Sequence, residues 1–243
     1  MEVLSQTAVK QFVEQGYYVN NGALFSDEKF SRLYDIFIEH LSSKGSKKSD
    51  ELDTPHFQDE RLFDFLMDEH VLDIVEDCIG PNIGLWSSHF ISKDPKTGRP
   101  TPWHSDAGYW QGRFDTFTGI VTIWLALERS DRGNGCMKVI PGTHRKEDGE
   151  YVPVDDRNTF RFALQNIDES EAVYFELDPN EFSLHDSRLI HGAEANTSDR
   201  RRTGYTMRYF SQEMKLNPDH PHNPQHRIWH CRGKNLRDNP VEN

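Results

Sequence analysis

From residue 83 onward the chain breaks into short β-prone runs separated by turns, and this texture limits its fold more than any other feature. The first run, residues 83 to 93, stops at the turn signal Asp94-Pro95-Lys96-Thr97-Gly98. Further runs follow around Trp103-His104 and at residues 119–127, 137–140, 172–177, 182–184 and 203–210. Strands this short and this regularly spaced predict a sandwich or barrel and not a doubly wound sheet. The first eighty residues read differently. Val9, Phe12 and Val13 recur at helical spacing before Gly16, and Tyr17-Tyr18-Val19 reads as a short strand. Ser26 is placed to cap a helix whose stripe is Phe30, Leu33, Tyr34, Phe37, Ile38 and Leu41. Residues 57–79 return to helical periodicity until Gly80-Pro81. Helices first and strands after predict an α+β, mainly β chain with the helices packed outside the sheets. The 243 residues divide into a mostly helical part (1–82), a β core (83–212) and an extension (213–243) within one domain.

Residues 144–160 are charged and turn-rich and read as a long loop, either a lid over a site or plain surface. The extension carries His220, His222, His226 and His230. Without cysteines or ordered carboxylates among them, these read as a solvated tail and not as a second metal site.

Composition excludes several function classes. A net charge of -12 argues against nucleic acid or an anionic membrane as the main partner. No run approaches the ~20 apolar residues that span a bilayer. The N-terminal Met1-Glu2-Val3-Leu4-Ser5-Gln6 lacks the layout of a signal peptide. Cys78, Cys136 and Cys231 are odd in number and unpaired in spacing, which fits a reducing cytoplasm. The expected partner is a small molecule, and the expected state is monomer or homodimer.

The chemistry concentrates in Trp103-His104-Ser105-Asp106-Ala107-Gly108-Tyr109-Trp110. Alternate side chains of a strand share a face, so an extended backbone would project His104 and Asp106 side by side. A third donor would complete a two-histidine, one-carboxylate set of the kind that holds non-haem Fe(II). With 12 histidines and 40 acidic residues, His-x-acid should arise by chance about once, so the motif needs company. His191 supplies it, between Leu189-Ile190 and Gly192, where a buried strand end gives way to a turn. A buried histidine serving only the core is the alternative there.

Four segments carry a resemblance: Pro102-Trp103-His104-Ser105-Asp106, residues 122–127, Asn134-Gly135-Cys136-Met137-Lys138-Val139-Ile140-Pro141-Gly142-Thr143-His144, and Ile190-His191-Gly192. In this order and spacing they resemble the phytanoyl-CoA dioxygenase family in its bacterial branch, over roughly residues 84 to 212. The resemblance implies a double-stranded β-helix (jelly roll) that binds Fe(II) and uses 2-oxoglutarate and O2. His104, Asp106 and His191 then match the metal ligands. Arg202 matches the arginine that pairs with the far carboxylate of 2-oxoglutarate, a role suited to a planar guanidinium. Strand alternation puts Arg201 on the opposite face and leaves Arg200 open on geometry alone. Lys93 falls where relatives carry a lysine near the co-substrate, or is a solvated lysine before a turn. Thr122 and Trp124 share a strand face and either line the cavity or, for Trp124, pack. Ala193 stands where many relatives have a serine that helps to hold 2-oxoglutarate. His144, in a turn, reads as structural.

The expected activity is hydroxylation of an unactivated C–H bond in a small zwitterionic or anionic metabolite, such as an aminophosphonate, quaternary amine or amino-acid derivative. Asp106 supports hydroxylation, because related halogenases carry a small residue at that position. Trp103, Tyr109 and Trp110, with Phe114 nearby, are the candidate substrate wall. Arg161, Arg188 and Arg208 are available for an anionic group. Desaturation, cyclisation or halogenation of a natural-product intermediate is one alternative, and a non-catalytic jelly-roll binding protein is another.

Overall fold

The computed structural model describes residues 3–147 and 149–242. The chain opens with α1 (Gln6–Gln15), capped by the Ser5 hydroxyl and closed by Gly16 at φ 82°. β1 (Tyr17–Asn20) leads to α2 (Asp27–Ser43), whose Ser26 side chain accepts a hydrogen bond from the Lys29 amide. After β2 (Leu52–Asp53), the helix expected over 57–79 is broken. Two 3-10 turns and the single turn α3 (Phe63–Leu66) precede α4 (Glu69–Ile79). Side chains cause the breaks: Asp59 caps at Arg61, and Asp68 accepts from both the His70 and Val71 amides, restarting the helix in a new direction.

Ten strands and one helical turn follow those elements before the last two strands close the chain. They are β3 (Ile83–Lys93), β4 (Thr101–His104), α5 (Asp106–Tyr109), β5 (Ile120–Ala126), β6 (Met137–Val139), β7 (Tyr151–Pro153) and β8 (Phe162–Leu164). Then come β9 (Val173–Tyr174), β10 (Phe182–Asp186), β11 (His191–Ala193), β12 (Arg202–Ser211), β13 (Ile228–Arg232) and β14 (Val241–Glu242). Among the described residues the larger sheet runs β1-β10-β5-β12-β3-β13-β14, with β2 beside β3. The smaller sheet runs β4-β11-β6-β9. Two mainly antiparallel sheets enclosing a lined interior, with helices on the outside of one, form the jelly roll. Within the stretch expected as a loop over 144–160, β7 forms and pairs with β8.

The solvated-tail expectation holds for His222, which is exposed, but not for His226 and His230. β13 pairs with β3, and β14 with β13. His226 packs on Trp86 at 4.0 Å between ring centroids, and His230 shares a hydrogen bond with Gln212. Sequence periodicity misses β13 because its partner β3 lies some 140 residues upstream.

β12 is buried along its whole length, but its two faces differ. Tyr205, Met207 and Tyr209 belong to the main apolar core beneath the helices, where Tyr205 stacks on Phe90 and the Tyr209 hydroxyl donates to the Leu66 carbonyl. Arg202, Thr206 and Arg208 face the interior between the sheets. A buried strand that alternates apolar and polar residues has a core on one side and a lined cavity on the other.

Gly204 lies on the cavity side against Trp124. A Cβ there would fall 2.0 Å from Trp124 Cζ2 and 2.2 Å from Cε2. Gly204→Ala is therefore expected to drive the indole out of place at a cost of about 1–3 kcal/mol. A melting temperature lowered by about 2–10 °C in calorimetry is the expected reading, and an unchanged one would mean that the indole has room to move.

His56 gives the fold a pH dependence. It is buried at 2% exposure among Phe57, Phe63 and Trp229, and its Nε2 has no partner among the described residues. Burial first, and then the nearby His226, push its pKa from 6.5 to about 3. The unfolded chain takes up that proton near pH 6.5 while the folded one refuses it. The contribution is therefore full above pH 6.5 and lost as pH falls toward 3. Each pKa unit corresponds to about 1.4 kcal/mol. Urea midpoints should thus fall steeply from pH 6 to 4, and His56→Phe should flatten that slope; parallel curves for both proteins would refute the assignment.

Candidate metal centre

His104 ends β4 and His191 begins β11, and their backbones are direct partners across the two strands. Each imidazole is oriented in the same way. His104 Nδ1 lies 2.8 Å from the Pro102 carbonyl and His191 Nδ1 lies 2.9 Å from the Leu189 carbonyl. A carbonyl only accepts, so each Nδ1 carries the proton and each Nε2 presents a free lone pair. Burial lowers the pKa of both rings, with His104 and His185 also acting on His191, which keeps them neutral as metal ligation requires.

Asp106 arrives by a route that strand alternation did not anticipate. The strand ends at His104, and Ser105 caps α5 by accepting from the Gly108 amide at 3.0 Å. Asp106 is thus the first residue of a helical turn, and the turn swings its carboxylate back toward the histidines. Oδ1 lies 3.8 Å from His104 Nε2 and 4.0 Å from His191 Nε2. The three residues each offer a donor atom, all within 4.8 Å of one another, and all three are buried. That geometry can hold one metal ion.

The second carboxylate oxygen is already engaged. Thr122 Oγ1 and Arg208 Nε both lie 3.4 Å from Oδ2, and His185 Nε2 lies 3.8 Å away. Burial pushes the Asp106 carboxyl upward, but Arg208 and the neighbouring histidines outweigh it and hold the group well below the usual carboxylate range. Asp106 is ionised, with Oδ1 left to face the two Nε2 atoms.

The three donors open on a cavity between the sheets. Arg202 lines it with only 3% exposure, and burial holds its guanidinium down to about 10. Its Nε has no hydrogen-bond partner among the described residues, and its guanidinium carbon sits 4.7 Å above the Trp124 ring. A buried arginine without a carboxylate is costly, so this one is poised for an anion. The neighbouring arginines are committed elsewhere, Arg200 to Asp131 and Arg201 to Glu128.

Other residues singled out from the sequence are distributed unevenly. Trp124 and Ala193 line the cavity, and Thr122 reaches Asp106. Lys93 is buried at 1% exposure, but its ammonium donates to the Arg99 and Glu194 carbonyls at 2.7 and 2.6 Å. It ties together the segments before β4 and after β11. Trp103, Tyr109 and Trp110 are not among the residues that line the cavity, although the Tyr109 ring lies 5.3 Å from that of His104. Trp103 donates its indole N–H to Glu169, Tyr109 gives its hydroxyl to the Phe162 carbonyl, and Trp110 packs on Trp86. Phe114 is buried in that same Trp86 cluster. Arg161 is exposed, and Arg188 forms a fork with Asp186. Arg208 alone of the three candidate anion-binding arginines lines the cavity. His144 Nε2 meets the Val13 carbonyl.

His185, His89, Thr206 and Phe160 also line the cavity, although the sequence reading gave them no role. A signal was present for His185: in β10 the polar Ser183 and His185 alternate with Phe182 and Leu184. Phe160, whose ring lies 4.8 Å from that of His104, comes from the irregular segment between β7 and β8, where no periodicity operates.

Fold and site together define a class, the double-stranded β-helix proteins with a two-histidine, one-carboxylate donor set between their sheets. Residues 3–204 match the family described as phytanoyl-CoA dioxygenase (PhyH), and the chain belongs to that family. It is 29% identical over 200 residues to a probable phytanoyl-CoA dioxygenase of Caenorhabditis elegans, covering 77% of this chain and 62% of that protein. It is 26% identical over 173 residues to a probable alpha-ketoglutarate-dependent hypophosphite dioxygenase of Stutzerimonas stutzeri, covering 68% and 58%. The chain thus spans about 60% of the length of these two relatives. Among solved structures, the apo non-heme monooxygenase ThoJ superposes with a TM-score of 0.79 at 20% identity, over 97% of this chain and 87% of that one. This last likeness concerns the fold. No helix among the described residues is long and apolar enough to cross a membrane.

Proposed function

We propose that this protein is an Fe(II)- and 2-oxoglutarate-dependent dioxygenase that hydroxylates an unactivated C–H bond of a small anionic or zwitterionic metabolite. One observation carries the reading: three metal donors and an unpaired, buried guanidinium share one cavity. The donor set is the one that suits non-haem Fe(II). The orphaned Nε of Arg202 is what the far carboxylate of 2-oxoglutarate would satisfy. The relative from Stutzerimonas stutzeri supports the same co-substrate by its name.

Bound iron would supply oxygen activation: C–H, O2 and 2-oxoglutarate become C–OH, succinate and CO2. One oxygen atom enters each organic product. Oxidation of the C–H bond and decarboxylation each provide two of the four electrons that O2 takes up. The protein supplies geometry and a dry cavity. His104 and His191 present pre-oriented Nε2 atoms, and Asp106 presents Oδ1 while Thr122 and Arg208 restrain Oδ2. Trp124 supports the Arg202 guanidinium from one face. Ala193 offers no hydroxyl to the co-substrate, but its backbone partner across the strands is Thr101, which also lines the cavity. We assign Thr101 the missing hydrogen bond. Lys93 acts from behind, fixing the strands that carry the histidines.

Anaerobic titration with Fe(II) and 2-oxoglutarate should develop the weak visible charge-transfer band of the chelate. A protein that stays colourless under saturating conditions would refute the reading. Succinate formation across short carboxylates, phosphonates and quaternary amines then finds the substrate class, and a halogenated product would contradict the role given to Asp106. The cytoplasmic setting and the monomeric or homodimeric state belong to the same proposal.

A further inference from the structure

Arg208 sits on the same face of β12 as Arg202, beside the metal donors instead of at the co-substrate end. Its side chain is 10% exposed. Nε reaches Asp106 Oδ2 at 3.4 Å and Nη1 donates to Thr206 Oγ1 at 3.0 Å. Nη2 makes no hydrogen bond among the described residues. One face of the guanidinium is backed by the Trp110 ring, 5.6 Å away. The group is therefore held in plane with a donor left over, on a wall that also carries Thr206 and His89.

The charges around it do not cancel. Among the described residues that line the cavity, Asp106 is the one carboxylate, against the two guanidiniums of Arg202 and Arg208. A divalent metal is balanced by the two carboxylates of 2-oxoglutarate, and Asp106 offsets one arginine. One buried positive charge remains, and a buried charge without a partner is expensive.

We propose that Arg208 is the substrate anchor, binding the oxyanion of a short carboxylate or phosphonate and so directing oxidation to the carbon that bears it or the next one. The proposal rests on the dioxygenase reading above. Position follows from reach. Because Arg208 Nε lies 3.4 Å from an oxygen of a metal ligand, an oxyanion held by the fork lies next to the metal, and only nearby C–H bonds lie within range. The anchor binds the substrate through parallel N–H···O bonds, which a lysine cannot reproduce. Oxygen insertion follows the stoichiometry already given, with the C–H hydrogen ending in the new hydroxyl.

The test uses the anaerobic protein loaded with Fe(II) and 2-oxoglutarate, probed with propionate, ethylphosphonate and neutral propionamide. Propionate or ethylphosphonate should shift the charge-transfer band, and propionamide should not; whichever responds identifies the oxyanion class. Arg208→Gln, measured with Fe(II) and 2-oxoglutarate saturating so that a weaker hold on Asp106 is made up, should weaken that response at least tenfold while the band itself still forms. If the Gln variant does not fold, Arg208→Lys replaces it, with an expected loss of about tenfold. Loss of the band itself in the folded variant would overturn the proposal in favour of a role in holding Asp106. Unchanged anion responses in the variant, or none in the wild type, would also overturn it. A wild type that forms no band would refute the dioxygenase reading and this proposal together. With the responding anion and air, succinate release and NMR of the product should place the hydroxyl one or two carbons from the oxyanion, and a more distant hydroxyl would refute the directing role.

Discussion

The His104→Ala protein is expected to stay folded, to give no charge-transfer band with Fe(II) and 2-oxoglutarate, and to lose succinate formation by about 1,000-fold, equivalent to about 4 kcal/mol. The imidazole contributes little to the fold beyond its hydrogen bond to the Pro102 carbonyl and its contacts with Tyr109 and Phe160. A hydrogen bond of that kind is worth about 1 kcal/mol. Removing one of three donors, by contrast, leaves two where the ion needs three. His185 is the neighbour that would compensate if any did, but its Nε2 faces Asp106 Oδ2, away from the oxygen that the other two histidines face. Added imidazole should restore part of the band, because the vacated space matches the lost ring. Full turnover in His104→Ala would refute the ligand assignment outright.

The second large effect has two opposite signs in one protein. Arg202→Met should weaken 2-oxoglutarate binding by about 100-fold, since a charge-assisted fork contributes roughly 1.5–3 kcal/mol. The same substitution should raise the stability of the metal-free protein by about 1–3 kcal/mol, because it replaces an unpaired buried cation with an apolar chain of similar length. Burial at 3% exposure, an orphaned Nε and a pKa held down to about 10 all indicate that the apoprotein bears this cost. Urea unfolding without ligands and a 2-oxoglutarate titration together test it. A variant that is less stable and still binds would show that Arg202 serves the fold and not the co-substrate.

The pattern of what the sequence revealed has a physical basis. His104 and His191 were legible because each is fixed by its own backbone, through a carbonyl two residues upstream. Arg202 was separable from Arg201 because alternation along a strand is a local rule. That rule failed one step after His104, where the Ser105 hydroxyl stops the strand and starts a turn. The same turn sends Trp110 to Trp86, while alternation along β4 puts Trp103 on the face opposite His104 and Tyr109 stays against the His104 ring. The helix expected over 57–79 was divided by caps at Asp59 and Asp68, which apolar periodicity does not register. β13 depends on pairing with a distant segment, and so does the choice of Arg208 over Arg161 and Arg188 as the arginine that lines the cavity; no window along the chain contains both partners.

The division of labour along β12 has a consequence for change over time. Tyr205, Met207 and Tyr209 anchor the strand to the helical layer, so the backbone stays in place whichever side chains project into the interior. Position 206 can therefore be diversified without renegotiating the fold, whereas Arg208 is tied to Asp106. A library confined to position 206 should keep most members folded while it retunes what the cavity accepts. On such a scaffold, new chemistry can be explored at little risk to the architecture that carries it.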